Sequence, residues 1–533
     1  ALALDHRLTG DPRSLARARE ELLRLADLPE WRPSHFLDVG EAALAAGLGY
    51  DWLHDQLSAD DRERIAQAIV RNALLPALET PEGAKSWVDG DFNWTQVCHT
   101  GVSVAALAIA EREPALARRV LERALKHFPK VAATYAPDGT YAEGPSYWSY
   151  GTSFHVIFIE TLRSSFGSAF GLDRSPGFLE TAEFDNQMVA PGGDDFNFSD
   201  YHVERLNEPI MLWFARERRD LGVARLELAA LTRLVAQQTP SESKASPAPG
   251  PKLVLSRHLP LELLWWDPAL PAATSPGPLH WTASGVLPVA VMRSAWDDPA
   301  ATYLAIKGGT PDHSHAHMDV GSFVLEADGV RWALDLGTES YGKMRAAKLD
   351  LWNYTQDSNR WTTFRVGPEG HNILRFDDAR QTVAGHAPIR ALPDAPDGTV
   401  GDVVDLSSLY AGQVARVTRT VRLHPDRSVS IADEWTAADR AVTATAQWLT
   451  RATVSRTPTG LRLAEAGKIL DLAINFPDPE LLALIELQDV SVSRATQDSD
   501  NPGLTRIVIK IPTAAHATAR LLITARAQSH ASP

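Results

Sequence analysis

The stretch "QQTPSESKASPAPGPK", residues 237–252, is rich in Pro, Ser and Lys and has no apolar face. That is the composition of a linker. It decides the fold because the hydrophobic period differs on its two sides. Over residues 1–236 apolar residues recur at spacings of three and four. "SHFLDVGEAALAAGLGYDWLHDQL" (34–57) opens on Ser34 as a cap, and "DDRERIAQAIVRNALLPAL" (60–78) follows after a short turn, as the next antiparallel helix. "VSVAALAIAERE", "LARRVLERALKHF" and "YGTSFHVIFIETLRSSF" continue the pattern. Helix hairpins strung this way predict an α/α toroid or solenoid. Over residues 253–533 the period is two, in "TYLAIKGG", "GSFVLEADGVRWALDLG", "ARVTRTVRLHPDRSVSIADEW" and "LTRIVIKIP". Asp328-Gly329 falls between two such runs, a strong hairpin signal. This half is predicted to be antiparallel sheet, enough for a β-sandwich.

The bulk composition narrows the classes of function. A chain of 533 residues exceeds what one core usually fills, so two or more domains are expected. It has no run of about 18 apolar residues, and hence no transmembrane helix. The opening row reads as a helical hairpin with no secretory leader, and a periplasmic or secreted location is the expectation. The single cysteine, Cys98, excludes an internal disulfide or a cysteine-built zinc site. A net charge of −15 argues against nucleic acid as a partner. An acidic sugar polymer needs only a locally basic or polar groove, and 15 tryptophans could include platforms for its rings.

Three clusters carry candidate chemistry. In "DFNWTQVCHTG" (91–101), Asn93, Gln96 and His99 interrupt an apolar helix start, and Asn93 alone would be an ordinary N-cap. In "PDGTYAEGPSYWSYG" (137–151), a turn leads to Glu143, Tyr147, Trp148 and Tyr150, which alone would be an aromatic helix start on the core. In "HSHAHMDVGSF" (313–323), His313, His315, His317 and Asp319 stand at alternate positions and would share one face of an extended strand. Metal ligation, proton transfer or a hydrogen-bonded cluster would each explain such a row.

Taken together, these clusters resemble the heparinase II/III-like polysaccharide lyases. The resemblance rests on the Asn-Trp segment, DG-x-x-x-EG-x-x-Y-x-x-Y, H-x-H-x-D-x-GSF and the later HN-x-L of "GHNILRFDDARQ", in that order along nearly the whole chain. It implies an incomplete (α/α) toroid followed by an antiparallel β-sandwich. It also implies cleavage of a uronic-acid glycan (glycosaminoglycan, alginate or glucuronan) by β-elimination. Such a reaction removes the C5 proton, breaks C4–O, and needs prearranged donors for the charge growing on the carboxylate. Asn93 suits the carboxylate, with Gln96 one helical turn along. Tyr147 is the expected acid, and the base too when the proton lies on its side; His315 is the alternative base. Tyr150 competes for the role of Tyr147, and Tyr341 in "RWALDLGTESYG" is a weaker third choice. His99, Glu143, Trp148 and Tyr341 are expected to contact substrate.

By the same resemblance, His317 turns toward a structural zinc with Asp335 and His371, while His313 and Asp319 orient the others. Because His315 and His317 would share a face in a regular strand, a bulge or an irregular entry is expected there. Two rivals remain: a zinc hydrolase, because H-x-H-x-D also opens the binuclear metallohydrolase signature, and a catalytically silent glycan-binding protein. Val320 stands where that signature would continue with His. Acidic "WDDPAA" and "DDFNFSD" are expected near the cleft, disfavouring heavily sulfated chains. The oligomeric state is open, a homodimer being one outcome.

Overall fold

The structure, a computed structural model, describes residues 1–83, 86–201, 205–238, 253–271, 276–476, 484–493 and 495–528. The expected linker lies outside them from residue 239 to 252. Before it the chain is helical, from Leu2–Thr9 through Phe36–Leu53, Asn93–Ala108, Pro114–Ala132 and Pro145–Phe166 to Arg225–Gln238. Helices Phe36–Leu53 and Asn93–Ala108 approach through glycines. A Cβ on Gly101 would run into the backbone of Gly40, so only glycine permits this spacing.

Among the described residues after the linker are three antiparallel sheets, of five, four and eight strands. The five-stranded sheet is a meander of His280–Ala283, Val289–Arg293, Tyr303–Lys307, Phe323–Ala327 and Val330–Ala333. Its last turn is the Asp328-Gly329 pair, both residues at positive φ (53° and 75°), as a two-residue hairpin with right-handed twist requires. Ala290, Met292, Leu304 and Ile306 face the core of the other two sheets. Val289, Val291, Tyr303 and Ala305 face the helical core. Burial on both faces explains why these strands read as apolar runs without a polar face. The helical half and the sandwich therefore share this sheet as their seam, and the fold is an incomplete (α/α) toroid followed by an antiparallel β-sandwich.

One local expectation is corrected and one is met. The segment from Leu253 to Asp267 contains no long strand. It packs on the helical half, with Trp265 buried there and Arg257 paired with Glu41. The histidine row is not a regular strand: it enters Phe323–Ala327 through the irregular connection after Tyr303–Lys307, with His315 at φ 63°, the irregular entry that the shared face of His315 and His317 led us to expect. The left-handed turn breaks the alternation, so His315 and His317 need not share a face.

Candidate active site

Helix Asn93–Ala108 begins one residue earlier than a capping Asn93 would allow: Phe92 holds the cap position without a side-chain bond. Glu143 does that work from a distant loop. Its Oε2 accepts the Asn93 N–H at 2.6 Å and its Oε1 accepts the Asn93 amide at 2.9 Å. A carboxylate is favoured at the positive end of a helix, where backbone N–H groups lack partners. Burial raises Glu143 above its ordinary range, opposed by His315 and the Asn93 bonds. Asn93 is fully buried and its Oδ1 has no partner.

Tyr147, in the first turn of helix Pro145–Phe166, lies under His315. The two rings stack at 3.6 Å and 16°. The Tyr147 hydroxyl meets that of Tyr341 at 3.2 Å, 194 residues away in sequence. His315 Nε2 stands 3.5 Å from Glu143 Oε1. Burial, then the charge of Asp200, raises the Tyr147 phenol above its ordinary value, so it keeps its proton.

The sequence reading did not single out Asp200. Its carboxylate accepts from His315 Nδ1 at 3.0 Å, His317 Nε2 at 3.0 Å, the Tyr341 hydroxyl at 2.8 Å and Arg360 Nη2 at 3.1 Å. Burial would raise this carboxyl, but the Arg360 charge and the two histidine bonds hold it well below the usual carboxylate range. The left-handed backbone of His315, which costs about 1–3 kcal/mol in a non-glycine residue, is held by its N–H bond to the Tyr354 hydroxyl at 2.8 Å. The only hint of Asp200 in the sequence was the acidic string "DDFNFSD", since nothing in spacing ties it to histidines more than a hundred residues on.

The remaining candidates lie elsewhere. Gln96 is held behind the cluster, donating to the Tyr135 hydroxyl and accepting from that of Tyr141. His99 Nε2 bonds the Val88 carbonyl at 2.7 Å, and burial lowers its pKa to about 4. Trp148 is wholly buried and donates to Thr181. Tyr150 donates to Glu41, beneath Arg257. In "WDDPAA", Trp296 lies against Arg293 and Arg225, and Asp297 pairs with Arg225.

A candidate metal centre adjoins the cluster. His317, Asp319 and His371 each present a ligand atom within 4.8 Å of the others. His317 Nδ1, Asp319 Oδ2 and His371 Nε2 are buried without partners, as donors awaiting an ion would be. The outer atoms are already engaged: His317 Nε2 by Asp200, Asp319 Oδ1 by Lys307 at 2.6 Å, and His371 Nδ1 by Asp335 at 3.1 Å. Two imidazoles and a carboxylate fit a divalent metal. The third member of this trio is Asp319. Asp335, the expected ligand, instead orients His371 from the far side, because the irregular loop swings Asp319 toward the histidines. His313 is half-buried, with Nδ1 2.8 Å from the Ser314 carbonyl.

The fold is similar to that of a heparan sulfate lyase and of heparinases. Residues 288–518 match the family model described as "Heparinase II/III-like, C-terminal". Heparan sulfate lyase HepC from Pedobacter heparinus is 13% identical, with a TM-score of 0.59 over 100% of this chain and 75% of that one. Heparinase III is 12% identical, with a TM-score of 0.60 over 99% of this chain and 75% of that one. The heparinase III BT4657 gene product is 14% identical, with 0.57 over 93% and 68%. At these identities the likeness is one of fold. No curated protein matches the chain in sequence.

Proposed function

We propose that the protein is a polysaccharide lyase that cleaves a uronic-acid-containing glycan by β-elimination. The observation that carries this reading is the stacking of Tyr147 on His315 at 3.6 Å, beside the Asn93–Glu143 pair. Two proton-transfer groups and a neutral amide donor thus meet where the helical half faces the sandwich. The Asn93 amide uses one N–H on Glu143 and has a second for the uronate carboxylate. Stabilising that carboxylate as charge develops lowers the barrier to C5 deprotonation. His315 donates from Nδ1 to Asp200, which leaves the Nε2 lone pair to take the C5 proton. Tyr147 keeps its phenolic proton and delivers it to the departing O4. Zinc held by His317, Asp319 and His371 would supply a fixed cationic pin for the histidine loop, with no part in the proton transfers.

The named relatives are a heparan sulfate lyase and heparinases, which puts glycosaminoglycans first among candidate substrates. The test is a panel of heparan sulfate, hyaluronan, chondroitin, alginate and glucuronan, read by ultraviolet absorbance of the C4–C5 double bond. Absorbance should rise with at least one polymer and vanish in Tyr147→Phe. If cleavage occurs without the unsaturated end, the reaction is hydrolysis and the reading is wrong.

A further inference from the structure

We infer that Trp352 forms an aromatic subsite for the pyranose ring next to the scissile bond; this rests on the lyase reading of the same cleft. Trp352 is 44% exposed, next to the buried Leu351. Leu351 is 4% exposed, and its carbonyl accepts from the buried Arg360 at 2.8 Å. On the other side, the Tyr354 hydroxyl accepts the His315 N–H at 2.8 Å. The segment is thus held by its backbone at Leu351 and by a side chain at Tyr354, while one large apolar side chain is left in solvent. Exposing an indole forgoes its burial energy, so packing does not explain the arrangement.

The position of the ring indicates what would cover it. Trp352 meets His315 edge-to-face at 5.2 Å and Tyr341 at 5.3 Å. Of the other exposed aromatic residues, Phe166 and Phe170 pack against each other. An indole face beside the proposed base suits the axial C–H face of a sugar, which is apolar although its hydroxyls are not. Arg345, exposed and one helical turn beyond Tyr341 in helix Tyr341–Ala346, adds positive charge to the same stretch. The ligand class is therefore a pyranose ring within an anionic polymer. Because indole contacts to the ring are made equally in ground and transition states, they act on binding more than on the chemical step.

The experiment compares wild type, Trp352→Ala and Trp352→Phe on a polymer that wild type cleaves. It also follows binding of that polymer to Tyr147→Phe protein by tryptophan fluorescence. Trp352→Ala should raise KM by about tenfold with a smaller fall in kcat, and Trp352→Phe should recover most of the loss. Adding Trp352→Ala to Tyr147→Phe should remove most of the polymer-induced fluorescence change. Unchanged KM and unchanged binding in Trp352→Ala, with normal lyase activity, would overturn the subsite and leave the lyase reading intact. If wild type makes no unsaturated product but a uronate polymer still perturbs fluorescence through Trp352, the subsite stands and the lyase reading falls.

Discussion

Asp200, from the helical half, accepts a hydrogen bond from His315 of the sandwich half at 3.0 Å, and the same carboxylate accepts from His317 at 3.0 Å. One acid therefore orients both the proposed base and a candidate metal ligand. An ionised carboxylate can only accept, so His315 must carry a proton on Nδ1, while its Nε2 stands 3.5 Å from Glu143 Oε1. Asp200→Asn keeps the shape but can offer an N–H to the imidazole. We expect kcat to fall by about 100-fold or more with KM nearly unchanged. A proportional loss of kcat and folded protein in thermal denaturation would mean that Asp200 only holds the domains together.

Tyr147→Phe keeps the ring stacked on His315 and removes only the hydroxyl. Turnover should drop by about 100-fold or more while the melting temperature stays close to wild type. Tyr150→Phe, which loses only its bond to Glu41, should remain active. An inactive Tyr150→Phe beside a normal Tyr147→Phe would exchange their roles.

Asn93→Ala removes the amide proposed to meet the uronate carboxylate. The expected cost in the chemical step is about 2.7–4 kcal/mol if Asn93 behaves as an oxyanion donor. Steady-state kinetics would show it in kcat. An effect confined to KM would assign Asn93 to ground-state binding instead.

Protein purified without chelator should contain about one equivalent of zinc, measured by elemental analysis. Asp319→Asn and His371→Ala should abolish its retention, whereas Asp335→Asn, acting through His371, should weaken affinity by about 10–100-fold. If Asp335→Asn loses the ion and Asp319→Asn keeps it, the ligand roles of the two aspartates are reversed.

Burial lowers His99 to about 4 and His155 to about 3. In the unfolded chain both titrate near 6.5, so below that pH the unfolded state binds protons that the folded state refuses. Their contribution to stability is present above about pH 6.5 and is lost as pH falls toward the folded values. The melting temperature should therefore drop between about pH 7 and about pH 5. His155→Phe, which keeps a ring against Phe178, should show a shallower drop. Parallel pH curves would place the acid sensitivity elsewhere.

The sequence alone determined the order of helical and sheet halves, because hydrophobic period is a local property that burial imposes residue by residue. It also determined the Asp328-Gly329 turn, whose two positive φ angles these residues tolerate better than others. Asn93, Tyr147 and His315 were legible as residue types suited to one reaction. Their assembly was not, since contacts across 194 residues, as between Tyr147 and Tyr341, leave no trace in spacing. Tertiary structure decided that Glu143 caps the helix at Asn93 and that Asp200 bridges His315 and His317. It also decided that Asp319 faces the candidate metal-ligating histidines with Asp335 behind them. In each case a buried charge is stable only where distant donors converge on it. The left-handed turn at His315, held by Tyr354 and Asp200, aims those donors where strand alternation would not.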